Sequence, residues 1–439
     1  VTSGFCPDVF FYALDIPTLL GHTAKNCFLG GLVVEKHILI LATTNDFLLK
    51  FEGENIALLQ EMGYQVHYGA NLREPAYLSD GERIRAKGVA LHHLDIARSP
   101  YLLGENRRAL EQVLELVKQR NICAIHCHTP VGGLVGRLAG RMSPLHPVVV
   151  YTAHGFHFYR GAPLYNRMAF YPVEWNLARY TDLLVTINQE DYRAARRLPL
   201  KRGGEVFRLP GVGLDRRRFS PLPPGERQAL RESLGLAPDD LFLLSLGELN
   251  LNKNHQVVLA ALSLLQKTPQ GLAGVRYGIC GEGFARPRLE REIRERGLSQ
   301  VVTLYGYQRD VIPFLGCADA TVFPSRREGL GMAGLESLAM GVPVIAADNR
   351  GTREYMAFGK NGLIYPWDDP AGFARGIALL RGMDPAWRGA LSRRCAASAA
   401  PFDREHARAA MKEVYQEMDR KVRERYDKIT QSRRIDGVL

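Results

Sequence analysis

The sequence predicts an α/β protein of two domains, each a doubly wound parallel sheet, facing one another across a cleft. Three observations predict it. At 439 residues the chain exceeds the roughly 250 to 300 residues at which a single core stops growing. Short buried-strand runs rich in Ile, Val and Leu alternate with helical patterns in two separate series, as in parallel sheets covered by helices on both faces. Between the series, "FSPLPPGERQ" (219–228) has the composition of a linker, with three prolines and a glycine.

The first series opens on "HILILAT" (37–43), a continuous apolar run of strand length, followed by a helical pattern near 51–62. "QVHYGA" (65–70) and "VALHHLD" (89–95) come next. A helix over 105–120 leads to "AIHCHT" (124–129), then "VVVYTAH" (148–154), "LLVTIN" (183–188) and "EVFRLPGVG" (205–213). The second series runs "LFLLSLGEL" (241–249), a helix over 255–267, "VRYGICGEG" (275–283), the charged helix "PRLEREIRERG", "VTLYGY" (302–307), "ATVFPS" (320–325), a helix from about 333, "PVIAAD" (343–348) and "GLIYP" (362–366). The expected units are Rossmann-like: residues 35–212, a hinge at about 210–220, and residues 213–399. A C-terminal helix over about 400–425 is expected to complete the first domain, with a basic tail at 426–439. Residues 1–34 form an N-terminal extension of doubtful order. They lack the basic n-region, continuous apolar core and cleavage site of a signal peptide. They read either as an upstream extension of the frame, with a start near Val33 or Val34, or as a genuine added segment.

No apolar run approaches the roughly 20 residues of a membrane span, which leaves a soluble or membrane-peripheral protein. The net charge of +11 favours anionic surfaces or phosphorylated substrates, with the excess concentrated in 193–219 and 419–434. Solvated helix faces are the plain reading of those stretches, and they come with no nucleic-acid-binding motif. Seven scattered cysteines without a C-x2-C pair fit a reducing cytosol, with Cys123 and Cys127 as core packing.

Open α/β sheets bind ligands beyond the carboxyl ends of their strands. One such end carries "SRREGLGMAGLESLAMGVPV" (325–344), where Glu328 and Glu336 flank Gly329 and Gly331. The glycines permit a tight loop with unshielded amides, and a helix beginning near Met332 or Ala333 would present free N–H groups to a phosphate or diphosphate. Carboxylates repel phosphate oxygens but accept hydrogen bonds from hydroxyls, so the two acids point to a ligand with hydroxyl-bearing rings around a phosphate: a nucleotide sugar. The plain alternative is a helix-start acid and a surface acid.

This arrangement resembles the signature of the retaining family-4 glycosyltransferases, whose GT-B fold is two facing Rossmann-like domains. The resemblance runs from about 37 to 425 and rests on "LPGVGLDRRRF" (209–219), "CGEGFARPRLE" (280–290), the stretch 305–356 and "NGLIYP" (361–366). It implies that Glu328 contacts the donor sugar and Glu336 the ribose. Amides at Leu330, Gly331 and Met332, beside Gly329, would approach the sugar and diphosphate. Tyr307 and Arg309 would border the base, with Gly281 on the same donor side. The family's basic pair falls in "GELNLNKNH" (247–255), where Lys253 matches the lysine but Glu248 stands where an arginine is expected. Asn250, Asn252, Asn254, Arg326 or Arg327 are candidates to compensate.

In the first domain, the resemblance implies that His154, in "YTAHGFHFYRGAP" (151–163), helps hold donor or acceptor at the reaction centre, with His157 as a neighbour. A lone histidine is more often structural, but this one ends a strand at the expected cleft. In "HCHTPVGG" (126–133), strand alternation keeps His126, Cys127 and His128 from converging on one zinc ion. Acceptor contact by His128 or by a glycine turn at Gly132 and Gly133 is the expectation there. The loop at 43–53 lacks G-x-G-x-x-G, against a dinucleotide oxidoreductase.

The implied reaction is retaining transfer of a sugar from a nucleoside diphosphate sugar, UDP-linked by expectation, to a hydroxyl of an undecaprenyl-diphosphate-linked saccharide in capsule or exopolysaccharide synthesis. With no Asp-x-Asp motif, no metal or other cofactor is expected. Lys253 and the helix N-terminus would stabilise the leaving diphosphate. The expected place of action is the cytoplasm, peripheral at the anionic inner face of the cell membrane. Two rivals share these features: a nucleotide-sugar 2-epimerase of the same fold, and a non-catalytic sugar-nucleotide sensor suggested by Glu248.

Overall fold

A computed structural model describes residues 35–73 and 81–435. The expectations for residues 1–34 and for the last four residues of the basic tail lie outside this range. Among the described residues thirteen strands form two sheets, and every strand pairing within them is parallel. The first sheet holds β1 (Lys36–Thr44), β2 (Tyr64–Asn71), β3 (Ala90–His93), β4 (Ile122–His128), β5 (Val148–Ala153), β6 (Leu183–Thr186) and β7 (Glu205–Arg208), in the order β3-β2-β1-β4-β5-β6-β7. The second holds β8 (Leu241–Leu246), β9 (Val275–Cys280), β10 (Val302–Gly306), β11 (Ala320–Phe323), β12 (Val344–Ala347) and β13 (Gly362–Tyr365), in the order β10-β9-β8-β11-β12-β13. Strand order therefore reverses between β1 and β4 and between β8 and β11, the switch points where such sheets bind ligands.

The central strands are apolar on both faces because both faces are covered. In β1, Ile38 and Ile40 enter one core while Leu39 and Leu41 enter the other. The same alternation puts Ala124 of β4 in the first core and Ile125 and Cys127 in the second. His126 and His128 therefore share one face of β4, and Cys127 points away from them. Full burial of each such Leu or Ile is worth about 1.5 to 3 kcal/mol, so these strands anchor the loops at their carboxyl ends.

The chain crosses between the sheets twice, and the crossings pair with each other. Leu214 donates from its amide to the Phe402 carbonyl at 2.8 Å, and the Arg404 amide donates to the Leu214 carbonyl at 3.0 Å. Beyond the second crossing, the helix Arg404–Ile435 returns to the first sheet. Its Asp419 accepts hydrogen bonds from Lys36 and Tyr64, each at 2.8 Å, and its Arg425 pairs with Asp182. The helix continues well past the expected end near 425 and takes in most of the stretch read as a tail. No helix among the described residues is long and apolar enough to cross a membrane.

Candidate active site at the domain interface

Two loops at the carboxyl end of the second sheet are sewn together. Strand β11 ends at Phe323, and the loop from Pro324 lies against the loop that follows β8. The Arg326 amide donates to the Asn252 carbonyl at 2.8 Å, and Asn252 Nδ2 donates to the Arg327 carbonyl at 2.9 Å. Asn254, in the left-handed region at φ +57°, caps the next helix position and donates from Nδ2 to the carbonyls of Pro324 and Trp367. This stitching brings Lys253 Nζ to 2.7 Å from Glu328 Oε1, both side chains largely buried. The expected sugar-binding acid and diphosphate-binding base are thus adjacent.

Gly331 follows at φ +89°, a conformation side chains rarely adopt, and caps the helix Met332–Ala339. The amides of Leu330, Gly331, Met332 and Ala333 find no acceptor among the described residues. They form a row of donors at a helix N-terminus, beside the Lys253 ammonium. Glu336 lies in the same helix, and burial pushes its carboxyl up to about 7.

The first domain supplies His154, directly after β5. Its Nε2 is 3.2 Å from His128 Nδ1, and its ring packs edge-on against Phe47. Desolvation lowers its pKa to about 4, so the imidazole is neutral near pH 7. The two domains meet here. A Cβ on Gly329 would lie 1.8 Å from the His154 carbonyl oxygen, so only glycine allows this approach. Asn188 Nδ2 donates to the Gly329 carbonyl at 2.9 Å, and Arg350 Nη1 pairs with Asp191 at 2.8 Å. Arg350 Nε also holds the Glu328 carbonyl at 3.2 Å.

With this geometry in view, comparison with known proteins is decisive. The family described as Glycosyl transferases group 1 matches residues 226–385, and Glycosyl transferase 4-like matches residues 37–188. EpsD of Bacillus subtilis (strain 168), which carries the name of a glycosyltransferase, is 38% identical over 79% of this chain and 87% of its own length. The chain belongs to the family-4 glycosyltransferases of GT-B fold. Solved structures agree on the fold. HepE of Anabaena, in complex with UDP and glucose, has a TM-score of 0.70 at 19% identity over 87% of this chain and 100% of its own. Sucrose-phosphate synthase from Thermosynechococcus elongatus has a TM-score of 0.71 at 18% identity over 88% and 100%.

In this glycosyltransferase some expected site residues fall elsewhere. His128 has no exposed surface and cannot touch an acceptor; it backs His154 from behind. Gly132 and Gly133 are not a turn but the first turn of the helix Pro130–Met142, which Thr129 caps. A Cβ at Gly133 would meet the Tyr151 ring at 2.5 Å, so the glycines let the helix lie close on the sheet. Gly281 likewise admits the Gly247 carbonyl, which a Cβ would meet at 1.8 Å.

Glu248 is exposed, while Asn250 Oδ1 accepts from the Lys253 amide at 3.0 Å. Tyr307 and Arg309 lie on an exposed loop beyond β10. The side chains of Asn252 and Asn254 are spent on the loop stitching, and the Arg326 guanidinium lies 4.6 Å over the Trp367 ring. Arg327 sits close enough to His157 to help depress the imidazole to about 4, after the larger effect of desolvation. The His157 ring itself packs against Phe170, tilted by 31° with the centroids 4.5 Å apart.

Sequence reasoning missed Glu52, which is buried 3.6 Å from His128 Nδ1, its pKa raised to about 8 by desolvation. Donor atoms of Glu52, His126 and His128 all lie within 4.8 Å of one another, close enough to suggest an ion site. His126, however, spends Nδ1 on the Tyr415 hydroxyl at 2.9 Å and Nε2 on Thr152 at 2.8 Å, so it offers no free ligand atom.

Proposed function

We propose that this glycosyltransferase moves a sugar, with retention at the anomeric carbon, from a UDP-sugar to a hydroxyl of a lipid-linked saccharide in exopolysaccharide synthesis. The observation that carries the reading is the Lys253–Glu328 contact beside a row of unpaired amides, with His154 opposite across the cleft. Charge that develops on the leaving diphosphate would fall on Lys253 and the amides of Leu330 to Ala333. Released from Lys253, Glu328 would accept hydrogen bonds from sugar hydroxyls. Glu336 would accept those of the ribose, and Tyr307 with Arg309 would border the base. Arg327, next to Glu328 in the same loop, would supply the cation that the family places at the Glu248 position.

UDP is favoured because HepE, of the same fold, was solved with UDP and glucose. The lipid-linked acceptor is favoured by one surface of the first domain. The helix Leu164–Ala178, which follows the His154 loop, leaves Leu164, Tyr165 and Met168 about 70% exposed beside the exposed Arg160 and Arg167. Apolar side chains among arginines suit an anionic bilayer carrying an undecaprenyl-diphosphate saccharide. No step of this account draws on a metal ion or a second cofactor. A thermal-shift screen of UDP-, GDP- and ADP-sugars tests the donor, followed by mass spectrometry of the products formed on a membrane-lipid extract. A UDP-sugar is expected to stabilise the protein and label a lipid-linked product. Conversion of UDP-N-acetylglucosamine to its C2 epimer without any acceptor would overturn the reading.

A further inference from the structure

Behind His154 lies a set of buried polar groups that the transfer reaction does not use directly. His128 Nδ1 lies 3.2 Å from His154 Nε2, a hydrogen bond, and 3.6 Å from Glu52 Oε1, an electrostatic contact. His128 Nε2 is buried with no hydrogen-bond partner, so the only polar exchanges open to this imidazole run through Nδ1. Glu52 Oε2 is already taken, accepting from Asn55 Nδ2 at 2.6 Å. A proton on the Glu52 carboxyl therefore sits on Oε1, facing His128. Among the described residues the His154 side chain hydrogen-bonds to His128 alone, and none of them engages His154 Nδ1.

We propose that Glu52 is a positioning residue that acts through His128 to decide which ring nitrogen of His154 carries the proton. The consequence rests on the functional reading above: the free nitrogen of His154 offers the substrate either a donor or an acceptor. With Glu52 ionised, its oxygen favours an N–H at His128 Nδ1. That N–H points to His154 Nε2, which must accept, and the His154 proton resides on Nδ1 as a donor. With Glu52 protonated, His128 Nδ1 keeps its lone pair. The His154 Nε2–H, at 3.2 Å, takes that lone pair ahead of the Glu52 hydroxyl at 3.6 Å, and His154 Nδ1 becomes an acceptor. Only the location of one proton on each neutral imidazole changes.

Burial raises the Glu52 carboxyl to about 8, so both states lie within reach of ordinary buffers. The other titratable groups that face this pair are Tyr68 of β2, His126 of β4 and Tyr415 of the C-terminal helix. Asp46, paired with Lys50 in the loop after β1, acts on Tyr68 and not on the pair itself. Both tyrosines are held well above their usual range and His126 is lowered to about 3, so all three stay neutral while Glu52 titrates.

The test is a long-range proton–nitrogen correlation spectrum of the full chain labelled with nitrogen-15 histidine. The His154 signals are assigned by their loss in His154→Asn. Between about pH 6 and about pH 9.5 the wild-type His154 proton is expected to move from Nε2 to Nδ1, crossing near the Glu52 titration. In Glu52→Gln and in His128→Phe the crossing should vanish and one tautomer persist throughout. A wild-type spectrum with a single His154 tautomer across that range would overturn the proposal, and so would a crossing that survives in Glu52→Gln. The wild-type titration decides the matter even if a variant fails to fold. It needs no substrate, so a failure to transfer sugar from a UDP-sugar would sink the functional reading and leave this result standing.

Discussion

Glu52 and Glu336 are the residues whose chemistry departs most from ordinary surface carboxylates, and in each the cause is burial. Burial disfavours the charged form, which puts Glu336 at about 7 despite the opposing pull of Arg218, and Glu52 at about 8, against an ordinary 4.5. Their folded pKa values lie above the unfolded ones, so the stability they contribute is fully present below about pH 4.5 and is lost as pH rises through about 7 and 8. For Glu52 the loss is bounded at about 4 to 5 kcal/mol, at about 1.4 kcal/mol per pKa unit. Glu52→Gln should therefore melt at a higher temperature than wild type at about pH 9 and near the same temperature at about pH 5, as differential scanning calorimetry can check. On the proposed reading ribose hydroxyls would donate to the ionised Glu336, so UDP affinity should rise as pH passes through about 7. Glu336→Gln should flatten that rise in isothermal titration. Glu336 was legible in the sequence, because its spacing from Glu328 across a glycine loop is a local pattern. Glu52 was not. It lies in an unremarkable acid-and-amide stretch, and only the fold brings β4 over it.

At the scale of elements, the site depends on how closely backbones approach. Gly329 lets the second-domain loop touch the carbonyl of His154, and any Cβ there would intrude to 1.8 Å. Gly329→Ala should push the two loops apart, weakening UDP-sugar binding at least about tenfold in titration calorimetry. The melting temperature should hold, since neither core is changed. The C-terminal helix offers a second test. Tyr415 Oη bonds His126 in the core of the first domain, and Tyr415→Phe should cost about 1 to 3 kcal/mol in urea denaturation by leaving a buried imidazole nitrogen unsatisfied.

The strands were readable because both faces of each central strand are covered, which leaves unbroken runs of Ile, Val and Leu. The helix Pro130–Met142 was misread as a glycine turn although its start signal is present, with Thr129 as cap and Pro130 at the first helical position. Glycine at Gly132 and Gly133 argued for a turn. Close packing against Tyr151 was the competing demand, and it is set by a strand distant in sequence.

Across the whole molecule, the two domains are held by a small polar set on one side of the cleft: Asn188 to the Gly329 carbonyl, Gln189 to Glu354, and Arg350 to Asp191. Burial works against both members of the last pair, raising Asp191 and lowering Arg350, so the pair adds less to stability than its distance suggests. Removing one partner strands the other charge. Asp191→Ala should cost about 3 to 5 kcal/mol or, if the domains part to let water in, enlarge the radius of gyration in small-angle scattering. Such contacts escape sequence reading because Asp191 and Arg350 lie 159 residues apart, and no local pattern marks either as the partner of the other.

The cleft they close is where transfer is proposed to occur, and its chemistry rests most heavily on Lys253. The most direct test is the rate of sugar transfer from the stabilising UDP-sugar into a membrane-lipid extract, compared between wild type and Lys253→Met. A loss of at least about 100-fold is expected in the variant, with its melting temperature preserved. Transfer at the wild-type rate by Lys253→Met would contradict the role given to Lys253.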